Sequence, residues 1–166
     1  RRRRSRAKVP TIVLVGYTNA GKSSLFNALT DGSIDAQDRL FETLDPTMRH
    51  LRLDGYGTVV IADTVGFIRD LPIDLVEAFK ATLEEVSAAD LLLHVIDSAA
   101  SEQESMSAEV ERVLSEIGAG TVPKIDVLNK IDRSALEEGM FGNRVHVSAR
   151  MKTGLETLKE LIGQRL

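Results

Sequence analysis

Apolar residues in this chain fall into short runs separated by stretches with a helical repeat. Runs at 11–16, 58–63, 90–97, 122–129 and 143–148 predict strands, and 48–53 predicts a hairpin partner for 58–63 across the turn Asp54-Gly55-Tyr56-Gly57. Between them, Leu75, Val76, Phe79, Leu83 and Val86 follow helical spacing. So do Met106, Val110, Val113, Leu114 and Ile117, and again Leu155, Leu158, Leu161 and Ile162. Ser101-x-x-Glu104 and Thr153-x-x-Glu156 read as capping boxes, and Gly118 and Gly120 stop the helix that precedes them. Strands alternating with helices predict an α/β fold: a six-stranded, mostly parallel sheet with helices on both faces.

Composition narrows the setting. A chain of 166 residues is long enough for a real core. It has no Cys, hence no disulfide, thiol nucleophile or thiolate metal site. No apolar run approaches the ~20 residues that span a bilayer, and no signal peptide is expected. A cytoplasmic monomer with no membrane contact is expected. The net charge of −4 is segregated: six of the 21 Lys and Arg lie in the first eight residues, leaving 15 against 25 Asp and Glu, a net −10, in the rest. Residues 1–8 therefore read as a basic linker stub and 9–166 as one domain that is no general polyanion binder. The stub is either a solvated end or a contact for an RNA backbone. The absence of an initial Met suggests a domain cut from a longer protein.

The sharpest chemical signal follows the first strand. Gly16-Tyr17-Thr18-Asn19-Ala20-Gly21-Lys22-Ser23 is G-x-x-x-x-G-K-[ST], and Ser23-Ser24-Leu25-Phe26-Asn27 opens a helix. Backbone N–H groups of such a loop cradle phosphates, helped by the helix dipole. Lys22 would reach the outer phosphates and Ser23 would ligate Mg²⁺. The base is named further on. Asn129-Lys130-Ile131-Asp132 follows a strand, and the Asp132 carboxylate can accept two hydrogen bonds from N1–H and the exocyclic amine of guanine. Adenine would leave it unpaired, at a cost that discriminates strongly. The Lys130 stem would pack over the base. Asp63-Thr64-Val65-Gly66 closes another strand, with Asp63 in the Mg²⁺ shell and the Gly66 N–H on the γ-phosphate. At Val147-Ser148-Ala149-Arg150 the Ala149 N–H would meet guanine O6. All four motifs follow strand C-termini, where open α/β sheets bind ligands.

These ordered motifs resemble the translation-factor-like GTPases and imply a P-loop NTPase of the Ras-like G-domain type. Leu40-Phe41-Glu42-Thr43-Leu44-Asp45-Pro46-Thr47 resembles switch I of the HflX family, which is related to the Obg-like GTPases. Asp63-Thr64-Val65-Gly66-Phe67-Ile68-Arg69-Asp70-Leu71-Pro72 resembles its switch II. The resemblance implies Mg²⁺-dependent hydrolysis of GTP to GDP, binding to the large ribosomal subunit, and a role in ribosome rescue or splitting, with a GTPase of ribosome assembly as the alternative. It also implies a further N-terminal domain in the whole protein.

Candidate catalytic residues are Lys22, Thr43 and Gly66, and candidate Mg²⁺ ligands are Ser23, Thr43 and Asp63. Thr47 rivals Thr43, but Thr43 leaves switch I more chain with which to arch over the phosphates, and it aligns with the switch threonine of related families. Phe41, Glu42, Leu44 and Asp45 belong to the same nucleotide-contacting stretch. Asn19 stands where related GTPases hold a potassium ion; the plainer reading is that it tolerates an awkward loop conformation. Phe67 stands where many GTPases carry a water-orienting Gln, so slow intrinsic turnover is expected. Two other classes stay open: a GTP-gated binding module, and an ATPase or nucleotide kinase, the latter opposed by Asn129 and Asp132. His50, His94 and His146 look too scattered for a metal site. Asp126 interrupts a buried strand and must be paired or near an exposed end.

Overall fold

The computed structural model describes residues 9–17, 20–30, 48–64 and 84–166. Strands β1 (Thr11–Gly16), β2 (Met48–Leu53), β3 (Gly57–Asp63), β4 (Leu91–Asp97), β5 (Lys124–Asn129), β6 (Gly139–Phe141) and β7 (Arg144–His146) form one sheet. Helices α1 (Lys22–Thr30), α2 (Gln103–Glu116) and α3 (Leu155–Arg165) pack on it. The strand order is β2-β3-β1-β4-β5-β7-β6. The five inner strands pair in parallel, and an antiparallel strand closes each edge, β2 on β3 and β6 on β7.

β1 is buried on both sides, which explains its unbroken apolar run. Ile12 and Leu14 face the core layer shared with α1 and α3, while Val13 and Val15 face the layer shared with α2. Each fully buried aliphatic side chain is worth ~1.5–3 kcal/mol, so the central strands are a rigid base for the loops at their ends. Val110 and Leu114 seat α2, and Leu155, Leu158, Leu161 and Ile162 seat α3. Arg49 on β2 fastens α1: its guanidinium lies 4.6 Å over the Phe26 ring and donates to Asn27 Oδ1 at 2.8 Å and Thr30 Oγ1 at 2.9 Å.

Among the described residues the sheet has seven strands rather than the six expected. The extra strand, β6, has only three residues, mostly exposed and without apolar alternation. Its cue was the Gly142-Asn143 pair, a two-residue loop that turns β6 back onto β7. Neither expected capping box forms. α2 is entered through Glu102 and α3 through Gly154, and neither entry has a side-chain cap. Thr153 is instead held in a two-way backbone bridge with Ser148, so the chain reaches α3 through a left-handed glycine. The helical repeat at Leu75, Val76, Phe79 and Leu83 lies outside the described residues, and Val86 is buried in a helical turn at 84–87.

Asp126 is paired. It is the register partner of His94 across β4 and β5. Its Oδ1 accepts from Lys124 Nζ at 3.0 Å and lies 3.4 Å from His94 Nδ1, and Lys124 also pairs with Glu111 of α2. His94, Glu111 and Asp126 come close enough to share a cation, but the Lys124 ammonium takes that place. Burial pushes the Asp126 carboxyl up, yet His94 and Lys124 outweigh it and hold the pKa at about 2.

Candidate functional site

The described residues of the four motifs lie at the C-terminal ends of β1, β3, β5 and β7. The phosphate loop can run close to its neighbours because two positions lack a side chain. A Cβ on Gly16 would lie 2.5 Å from the Val95 carbonyl oxygen. Gly21, at φ +92°, occupies backbone space disfavoured for other residues, and a Cβ there would lie 2.3 Å from Asn129 Nδ2. Ala20 is buried, and its N–H donates to the Tyr17 carbonyl. Thr18 and Asn19 lie outside the described residues.

Lys22 opens α1 and is 7% exposed. Among the described residues its ammonium reaches the carbonyls of Gly16 and Tyr17, at 3.3 and 3.4 Å. These are long contacts for a charge-assisted bond, and a charged acceptor would hold the ammonium more tightly. Burial lowers its pKa below the ordinary lysine value, and the Asp63 carboxylate partly offsets that. Ser23 donates to Asp63 Oδ2 at 2.8 Å, joining the phosphate loop to the end of β3. Asp63 Oδ1 is buried with no hydrogen-bond partner among the described residues. Burial raises the Asp63 carboxyl, against the Ser23 hydroxyl, the Lys22 charge and the Thr64 N–H. A desolvated carboxylate with an orphaned oxygen beside a serine hydroxyl is a donor set suited to a hard divalent cation. Thr64 turns inward and donates to the Leu14 carbonyl at 2.7 Å, fixing where β3 ends. Ser24 is exposed.

Asn129 links both ends of the site. Its Nδ2 donates to the Ala20 carbonyl at 3.3 Å, and its Oδ1 accepts the Ala149 N–H at 3.0 Å. That N–H, expected to face guanine O6, has Asn129 as its acceptor here. Asp132 is the middle residue of a short 3₁₀ turn (Ile131–Arg133) in which Ile131 is buried. Its Oδ1 accepts from Ser148 Oγ at 2.7 Å, and Ser148 Oγ in turn accepts the Met151 N–H at 3.0 Å. One carboxylate oxygen is thus fixed and the group stays exposed to a ligand. Lys130 pairs with Asp97 at 3.1 Å, and Arg150 is exposed. Asp97 escaped the sequence reading; its cue was an acid ending an apolar run, as Asp63 does. The expected contacts at Phe41, Glu42, Thr43, Leu44, Asp45, Thr47, Val65, Gly66 and Phe67 lie outside the described residues.

The family described as "50S ribosome-binding GTPase" matches residues 11–130. The chain is 50% identical, over its whole length, to the GTPase HflX of Caldanaerobacter subterraneus subsp. tengcongensis, of which it covers 39%. It is 49% identical to the GTPase HflX of Escherichia coli, covering 41% of it. A GTP-binding protein of the archaeon Sulfolobus solfataricus, solved in complex with GDP, matches 94% of this chain and 52% of its own at TM-score 0.72 and 34% identity. The chain therefore spans about two fifths of the length of these curated relatives.

Proposed function

The chain belongs to the HflX family of GTPases, and from that premise we propose that it binds GTP and hydrolyses it to GDP and phosphate, as the G domain of a longer protein that docks on the large ribosomal subunit. The observation that supports the reading is the double contact of Asn129, which ties the phosphate loop at Ala20 to the loop at Ala149, next to the Ser148 that holds the exposed Asp132 carboxylate.

In this reading Lys22 exchanges two long carbonyl contacts for phosphate oxygens and neutralises charge that grows on the γ-phosphate. Ser23 and Asp63, with Thr43 from switch I, are the groups that would hold Mg²⁺, which would supply charge neutralisation to the phosphates. Asp132 accepts from N1–H and the exocyclic amine of guanine, and the Lys130 stem covers the base. Asn19 would add a potassium ion beside the phosphates. Equal turnover in potassium and sodium at matched ionic strength removes that ion and leaves the rest standing.

Competition binding with GTP and ATP, followed by single-turnover hydrolysis with and without large ribosomal subunits, tests the proposal. GTP should win by at least about 100-fold, the scale set by a buried polar group left unpaired by the wrong base. Turnover should be slow alone and rise with the subunit. Equal affinity for the two nucleotides overturns the guanine assignment, and turnover indifferent to the subunit overturns the ribosomal one.

A further inference from the structure

The turn that ends β4 touches the guanine loop at three points, yet none of the four motifs includes it. Asp97, the last residue of β4, is the register partner of Asn129. Its Oδ1 accepts the Ala99 N–H at 2.9 Å, which fixes the turn, and its Oδ2 lies 3.1 Å from Lys130 Nζ. The Ser98 N–H donates to the Asn129 carbonyl at 2.9 Å, and the hydroxyls of Ser98 and Ser134 are 3.0 Å apart. The turn is thus fastened to the guanine loop on both sides of Lys130.

Lys130 is held at its other end as well. Its backbone is left-handed, with φ 65° and ψ 34°, a conformation uncommon for a residue with a Cβ. Its stem passes Gly21, with Cε 3.6 Å from where a Cβ there would be. A free lysine stem samples many rotamers, and a ligand that had to order it would bind more weakly. Pinning the ammonium to Asp97 orders the stem beforehand. The pair is largely shielded, at 24% and 19% exposure, so solvent screens it less than a surface pair.

We propose that Asp97 is a positioning residue for guanine recognition: it holds Lys130 stretched along the base-binding side of the pocket before nucleotide arrives. The proposal rests on the guanine reading of the Asn129–Asp132 loop. Among the described residues the Asp97 carboxylate bonds to Ala99 of its own turn and to Lys130 of the guanine loop. Its effect therefore belongs to affinity, equally for GDP and GTP, and not to the rate of hydrolysis.

The test is a double-mutant cycle read by fluorescent GDP and GTP analogues, with single-turnover hydrolysis at saturating GTP as second readout. Asp97→Ala should weaken both nucleotides by the same factor, roughly three- to tenfold, the scale of ordering one flexible side chain. Asp97→Asn, which keeps an acceptor, should lose less. Asp97→Ala combined with Lys130→Ala should bind no worse than Lys130→Ala alone, and Asp97→Ala should leave the hydrolysis rate unchanged. Multiplying losses in the double variant, weakening confined to GTP, or slowed hydrolysis overturns the proposal. If Asp97→Ala does not fold, the cycle of Asp97→Asn with Lys130→Ala decides by the same criterion. If Lys130→Ala binds both nucleotides like the parent chain, the guanine reading beneath falls too. If it weakens them while the Asp97 variants do not, only the role of Asp97 falls.

Discussion

A methyl group on Gly21 would sit 2.3 Å from the side-chain nitrogen of Asn129. The phosphate loop and the guanine loop are therefore packed so closely that the absence of one side chain makes room for the amide that joins them. That amide cannot step aside without losing its bonds to Ala20 and Ala149. Gly21→Ala should thus cost more than its backbone strain of roughly 1–2 kcal/mol, and nucleotide affinity should fall by well over about tenfold, ~1.4 kcal/mol. Gly55→Ala is the control, since it has a comparable φ of +77° and nothing within 4 Å. It should lower stability and leave affinity alone. Equal nucleotide affinity in the two variants contradicts the argument.

Asp132 is held by Ser148 at 2.7 Å, which gives base recognition two separable parts. Asp132→Asn should weaken GTP and shift preference to xanthosine triphosphate, whose C2 carbonyl needs a donor instead of an acceptor. Ser148→Ala should keep the preference for guanine but weaken binding by roughly ten- to a hundredfold, the scale of one hydrogen bond of about 1.5–3 kcal/mol to a charged group. Competition binding among the three triphosphates checks both. A variant at Asp132 with unchanged GTP affinity rules out its role.

The inner sheet was readable because strands buried on both faces leave continuous aliphatic runs, as at β1 and β4. The motifs were readable because phosphate and guanine chemistry demand particular residues at strand ends. β6 left little trace, because three mostly exposed edge residues bury almost nothing and carry no pattern. The capping boxes misled for a tertiary reason: the Thr153 backbone is drawn into a bridge with Ser148. Asp97 was missed because its importance lies in a partner 33 residues away, a relation that only the parallel register of β4 and β5 creates. Likewise the pairing that lets Asp126 stand in a strand comes from His94, Lys124 and Glu111, on three separate elements.

That cluster predicts acid sensitivity. Asp126 is held at a pKa of about 2, below the ordinary carboxyl value of 3.8. A depressed carboxyl stabilises the fold fully above the ordinary value, and the contribution is lost as pH falls toward the depressed one. Urea unfolding between pH 5 and pH 2 should therefore show about 1–2 kcal/mol of stability disappearing on account of this group. Asp126→Asn should lack that share at every pH, and its stability should fall less steeply over the same interval. Parallel profiles for the two chains exclude the pair as a source of stability.

Phe67 gives a prediction about chemistry from what its side chain cannot do. It follows Gly66, where a glutamine would orient water, and it precedes the apolar residues Ile68 and Leu71. A phenyl ring has no lone pair to offer the attacking water, whereas packing it in an apolar pocket gains ~1.5–3 kcal/mol. Its contribution should therefore be to the order of switch II and not to the chemical step. Phe67→Ala should hydrolyse GTP, in the absence of ribosomes, at close to the parent rate, while stimulation by the large subunit falls if docking needs an ordered switch. Single-turnover rates measured first without ribosomes decide the matter. A loss beyond about tenfold, or ~1.4 kcal/mol of barrier, with nucleotide affinity unchanged, would place the ring in the catalytic step and refute this account.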